Sequence, residues 1–117
     1  MAIVGAHAVI HTSDADGVRA LLRDAIGLPH VDTGKGWLIF ALPPAEVAVH
    51  PGDGPARAEL YLMCDDIHAM VAELHAKGVE TTGPVADRGW GLVTAIALPD
   101  GGSLGLYEPR HPRPEPI

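Results

Sequence analysis

The sequence predicts an α+β domain made of two β-α-β-β-β modules, and three observations carry that expectation. Short apolar runs, several alternating with polar residues and bounded by proline or glycine, have the signature of half-buried strands. Two longer stretches carry helical spacing instead, and each is closed by a glycine, Gly27 and Gly78. The second half repeats the order of the first at a spacing of 51 residues, from Gly27 to Gly78 and from Asp14 to Asp65.

The first strand is expected at residues 7–11, within GAHAVIHTSD. His7 and His11 stand four apart, which on a helix would align two imidazoles. The apolar run Ala8, Val9 and Ile10 ends in Thr12, Ser13 and Asp14, however, so the segment reads as a strand running into a helix start. On a strand His7, Val9 and His11 share one face, and Ala8 and Ile10 the other. Ser13 is expected to cap the helix, with Asp16 completing a capping box. Val18, Leu21, Leu22, Ala25 and Ile26 form its apolar stripe. A short edge strand between Pro29 and Thr33 is followed by strands at 37–42 and 47–50, with Pro43 and Pro44 as the turn and Trp37 in the core.

In the second module residues 59–64, ELYLMC, form a strand. Asp65 and Asp66 open a helix with Ile67, Met70, Val71 and Leu74 on its apolar side and His68 and His75 on its polar side; Lys77 and Gly78 close it. Strands at 81–85, 92–98 and 104–107 follow, the last two joined by an Asp100-Gly101 hairpin turn.

Alternation sorts the faces. Val47, Val49, Leu60, Leu62, Cys64, Leu104 and Leu106 point toward the helices. Glu46, Ala48, His50, Glu59, Tyr61, Met63, Ser103, Gly105 and Tyr107 point away from them. Glu108 falls on the helix side.

Composition narrows the function classes. The length suits one domain, expected over residues 1–110 with modules at about 3–51 and 58–110 and a Pro-rich tail at 111–117. A net charge of -7, with only 8 Lys and Arg residues, lacks the basic footprint of a nucleic-acid or anionic-membrane partner. Cys64 is the single cysteine and reads as a buried, inert thiol. Neither a secretory signal nor a membrane span is visible, so a cytoplasmic location is expected. No Walker or Rossmann phosphate loop, CxxC pair or nucleophile elbow is present.

Three stretches, HAVIHTSD…LLRDAIGLP, LYLMCDDI…VAELHAKGVE and PDGGSLGLYEP, make the chain resemble the vicinal-oxygen-chelate superfamily over about residues 3–110. That superfamily includes glyoxalase I, extradiol dioxygenases and bleomycin-resistance binding proteins. The resemblance implies a cupped mixed sheet, with helices on its convex face and a ligand cavity on the other. Half-cups of this kind often pair between chains, which implies a homodimer.

The resemblance also implies where a metal would sit. Its first-strand ligand position falls on His7, its fourth-strand position on His50 and its fifth-strand position on Glu59. The eighth-strand position, a glutamate in the metal enzymes, falls on Gly105, since Glu108 lies three residues later on the opposite face. Two histidines and a carboxylate would still suit Fe, Mn, Zn or Ni with open positions for substrate. Two functions are therefore expected. One is a metal-dependent lyase, isomerase or dioxygenase, with the ion chelating vicinal substrate oxygens and Glu59, His11 and Tyr61 in catalytic roles. The alternative is a metal-free protein that sequesters a planar small molecule among Trp90, Tyr61, Tyr107 and Met63, Trp90 standing in the glycine-flanked loop DRGWG.

Overall fold

An aspartate starts each helix in the computed structural model, which describes residues 7–114. Helix α1 spans Ala15–Ala20 and runs on as a π-helical turn over Leu21–Ile26; helix α2 spans Ile67–Ala76. Asp14 Oδ1 accepts from the Gly17 amide at 2.9 Å, so Asp14 caps α1 in place of the expected Ser13. Asp66 Oδ1 accepts from the Ala69 amide at 3.1 Å in α2. Both helices stop at a left-handed glycine, Gly27 and Gly78, each with φ of 79°.

The π turn has a reason in the count of residues. Asp14 and Gly27 stand 13 positions apart, Asp66 and Gly78 only 12. The closing bond of α2 runs from the Val79 amide to the Leu74 carbonyl, whereas its counterpart runs from Leu28 to Leu22, one residue further. The extra residue of the first module is absorbed as a wider turn, the usual form of a one-residue insertion in a helix.

Four strands form the main sheet: β3 (Tyr61–Met63), β4 (Ala86–Asp87), β5 (Gly91–Ala97) and β6 (Ser103–Pro109). Their order is β3-β6-β5-β4, with β3 and β6 parallel and the other pairs antiparallel. The hairpin between β5 and β6 turns at Asp100-Gly101 as expected, with the Leu98 amide donating to the Gly102 carbonyl at 2.9 Å. The strand expected at 81–85 is broken. Thr81 bridges Ile96, and regular pairing resumes only at β4. Pro84 has no amide to donate, and the Gly83 carbonyl accepts the Thr94 hydroxyl at 2.9 Å instead of a ladder bond.

Both helices cover one face of this sheet. Ile67, Leu74, Ile96, Leu104 and Leu106 are the buried core, and Leu21, Leu22, Ile26, Leu60, Leu62 and Cys64 pack against it. Every strand residue assigned by alternation to the helix side of the second module lies there. Glu108, also on that side, accepts the Ile67 amide at 3.1 Å and satisfies a donor of the first turn of α2. Lys77 Nζ donates to the Ala25 carbonyl at 2.9 Å, tying the two helix ends together.

The first module departs from expectation. Among the described residues its strands are β1 (His30–Asp32) and β2 (Leu38–Phe40), a separate antiparallel ribbon. Residues 7–11 and 47–50 form no strand, and Val47 and Val49 are each 90% exposed. Prolines at 43, 44, 51 and 55 bracket the second segment and remove ladder donors. Trp37, expected in the core, is 67% exposed with the Arg19 guanidinium 5.0 Å above its ring, because its ribbon joins no larger sheet. The expected start of the module at residue 3 and the last tail residues, 115–117, lie outside the described residues. Among the described residues no helix is long and apolar enough to cross a membrane.

The caps give this architecture a measurable signature. Asp66→Ala should lower unfolding free energy by about 1 kcal/mol, while Asp66→Asn should retain most of it, as read from denaturant midpoints at unchanged slope.

Candidate functional site

With the apolar side chains of β5 and β6 committed to the helices, period two sends Ser103, Gly105 and Tyr107 to the opposite face. Register places Tyr61 beside Gly105 and Met63 beside Tyr107 from β3, and Ala95 beside Gly105 and Val93 beside Tyr107 from β5. Small residues thus floor the middle of the face, and aromatic rings rise from it.

Tyr107 is the hub. Its ring meets Tyr61 edge to face at a centroid distance of 5.8 Å and Trp90 at 5.4 Å, with interplanar angles of 90° and 74°. These are favourable quadrupole geometries. Trp90 is held by its backbone: its carbonyl accepts the Arg110 amide at 2.8 Å, and the preceding turn is closed by the Arg88 amide on Gly91 and the Gly89 amide on Asp87 Oδ1. Trp90 and Tyr61 remain 46% and 41% exposed, so both offer ring surface to a ligand.

His111, which sequence reasoning missed, joins this cluster. It stacks on Tyr107 at 6.0 Å with a 27° interplanar angle, and its Nε2 lies 3.2 Å from the phenol oxygen. Its Nδ1 stands 2.8 Å from the Pro112 carbonyl, which can only accept. Nδ1 therefore carries the proton in neutral His111, and the Tyr107 hydroxyl donates to Nε2. Nothing local in EPRHPRP signals this role, which depends on the chain turning back after β6.

Carboxylates ring the aromatic group. Glu46, assigned by alternation to this face, accepts Arg113 Nε at 2.6 Å. Partial burial, and then the Glu46 charge, push the Tyr107 phenol above its ordinary pKa against the opposing effect of Arg113. Partial burial likewise raises the Tyr61 phenol, reinforced by the Glu59 carboxylate beside it. Both phenols are neutral hydrogen-bonding groups at physiological pH. Beyond Met63 an open groove of about 390 Å³ continues past Cys64, Asp65, Glu108, Pro109 and Arg113.

The expected metal ligands do not gather. Among the described residues no three His, Cys, Asp or Glu side chains stand close enough to hold a metal ion. His7, His50 and Glu59 are all exposed, and the two strands expected to aim the histidines are not formed. Of the catalytic group, Glu59 and Tyr61 are neighbours, while His11 lies exposed in the segment whose next residue, Thr12, donates its hydroxyl to Asp100 Oδ2 at 2.6 Å. Of the ligand-binding group, Tyr61, Trp90 and Tyr107 come together, and Met63 lines the adjoining groove. A glutamate at position 105 would require the Tyr61 ring to move: a Cβ built on Gly105 would lie 2.6 Å from Tyr61 Cε1 and 2.8 Å from Cγ. The donor set of this chain does not suit the chelated metal that the resemblance implies.

Cys64, expected to be buried, is half-buried and lines the open groove. Burial, helped by the negative charges of Glu108, Asp65 and Asp66, pushes its thiol up to about 11 from 9.0. At pH 8 the thiolate is thereby about 100-fold scarcer than in an unperturbed cysteine. Alkylation by iodoacetamide should accordingly be slower in the native chain than in the urea-unfolded chain by about that factor, as followed by mass spectrometry.

No protein-family profile and no curated protein sequence matches the chain. Solved structures do. The chain is 28% identical to TnmS3, an antibiotic binding protein from Streptomyces sp. CB03234, with a TM-score of 0.66 over 93% of this chain and 98% of that one. A glyoxalase/bleomycin resistance protein from the same Streptomyces is 27% identical, with a TM-score of 0.56 over 82% and 92%. A glyoxalase/bleomycin resistance protein/dioxygenase superfamily member from Sphaerobacter thermophilus DSM 20745, at 24% identity and a TM-score of 0.65 over 91% and 98%, shares the fold. By the order of its elements, the placement of both helices on one face of the sheet and these likenesses, the chain has the fold of the glyoxalase/bleomycin resistance protein/dioxygenase superfamily, the vicinal-oxygen-chelate group that its sequence resembles.

Proposed function

We propose that this chain is a small-molecule binding protein that holds a planar, aromatic ligand among Tyr61, Trp90 and Tyr107 without a metal. The observation that carries this reading is the convergence of those three rings on the open face around Tyr107. Two of them keep enough exposed surface to take up a further ring. The Tyr61 phenol and the Glu59 carboxylate supply polar groups at the rim, which would orient a ligand bearing donors or positive charge. The likeness to TnmS3, an antibiotic binding protein, supports sequestration as the use of such a site. The metal-dependent lyase, isomerase or dioxygenase reading needs His7, His50 and Glu59 to converge and a ligating side chain at position 105, and neither requirement finds support.

Binding is tested by titrating a cationic acridine and an anionic naphthalenesulfonate into a Trp37→Phe background, where Trp90 is the remaining indole. Quenching of Trp90 with tighter binding of the cation is expected, unchanged by EDTA. Tyr107→Ala, which removes the hub of the cluster, should weaken binding about tenfold, the effect of losing one to two favourable ring contacts. Binding abolished by EDTA and restored by a divalent ion would return the chelating enzyme to first place.

We further propose that the working form is a homodimer in which the first module of one copy covers the open side of the other. Val9, Val31, Trp37, Ile39, Val47 and Val49 are all exposed in a module that, among the described residues, lacks a main sheet, and among the same residues β3 is an edge strand. Apolar surface of this extent in extended segments beside a free edge is what a second copy would bury. Sedimentation should show a dimer, and Val47→Asp combined with Val49→Asp should shift it toward monomer; a monomeric wild-type chain at tens of micromolar would reject the proposal.

A further inference from the structure

The space left by the missing side chain at the eighth-strand position is filled. Gly105 in β6 lies directly beside Tyr61 in the parallel β3, and one edge of the Tyr61 ring, Cδ1, Cε1 and Cγ, occupies the volume where a side chain at 105 would begin. Across the other side of Gly105 stands Ala95, so the floor beneath the ring is small in both directions. A similar relation recurs nearby: a Cβ on Gly91 would lie 3.1 Å from Tyr107 Cδ2 and 2.9 Å from the Glu108 carbonyl. Two glycines thus sit beneath the two tyrosines of the cluster.

We propose that Gly105 is a positioning residue, the seat of the Tyr61 ring, and that this seat occupies the place where a ligating side chain would stand. Ring and ligand compete for one volume. The absence of a side chain at 105 is then what sets Tyr61 against Tyr107, rather than a lost metal ligand. This rests in part on the binding function proposed above, but the seat itself can be judged without any ligand.

Four chains decide it: wild type, Gly105→Ala, Tyr61→Ala and the double variant. Overpacking by the methyl group that Gly105→Ala adds should lower Tm by about 5 °C or more when Tyr61 is present, and by less than half as much in the Tyr61→Ala background. The chain has only two tyrosines, so alkaline titration at 295 nm resolves both phenols. Gly105→Ala should bring one of them down toward the ordinary value of about 10 and weaken the near-ultraviolet dichroism of the Tyr61 and Tyr107 pair. Gly105→Glu should lose stability equally with and without Mn(II), Ni(II) or Zn(II). Equal destabilisation by Gly105→Ala in both backgrounds, unchanged phenol titration, or metal-dependent stabilisation of Gly105→Glu would each overturn the seat. Should Gly105→Ala fail to fold, a folded double variant supports the proposal and an unfolded one overturns it. A wild-type chain that binds neither planar probe defeats the binding function, while these readouts still judge the seat.

Discussion

Alternation along the β5–β6 hairpin is the constraint on which the rest depends. Ile96, Leu104 and Leu106 each remove an aliphatic side chain from water against α2 and the end of α1, worth roughly 1.5–3 kcal/mol apiece. A slip of one residue would expose all three and bury Tyr107 and Ser103, so the register is held by far more free energy than any single polar contact supplies. The positions of Gly105 and Tyr107 on the open face follow from that commitment. So does the fate of Glu108, which is turned from a possible ligand into a cap on the first turn of α2.

On the open face the chemistry is set by what surrounds Tyr107. Two aromatic rings meet it edge to face, an imidazole accepts its hydrogen bond and stacks on it, and the Glu46 and Arg113 pair closes one side. That pair joins the tail to the segment around Glu46 and leaves no net charge of its own beside Tyr107. Glu59 is different, since it sits beside the Tyr61 phenol as an exposed carboxylate and biases the rim toward donors and cations.

The two modules share their local signals and fold differently. Each has an aspartate cap, an apolar stripe and a left-handed glycine stop, and each forms its helix, because capping and amphipathic spacing act within a few residues. Strands need a partner that local sequence cannot supply. In the second module β3, β5 and β6 find one another; in the first, Val47 and Val49 alternate correctly yet stand in solvent, and Trp37 is left on a ribbon with only Arg19 over its ring.

The sequence by itself determined the α+β class, both helices, the hairpin at Asp100-Gly101 and the core side of the second module. All of these rest on period, turn chemistry or burial preference, which are local or nearly so. The π turn follows from one extra residue that only the observed caps reveal. Whether His7, His50 and Glu59 would meet depended on strand pairing across tens of residues, and in the single chain the segments that carry the two histidines form no strand. The tertiary structure alone brought Glu46 to Tyr107 from a distant segment, and it turned the chain after β6 so that His111 and Arg113 come back toward that ring, a turn that the Pro-rich tail does not signal. Gly105 carried the same ambiguity: a glycine reads as a missing ligand in one dimension, and the ring that fills its volume comes from a neighbouring strand 44 residues earlier.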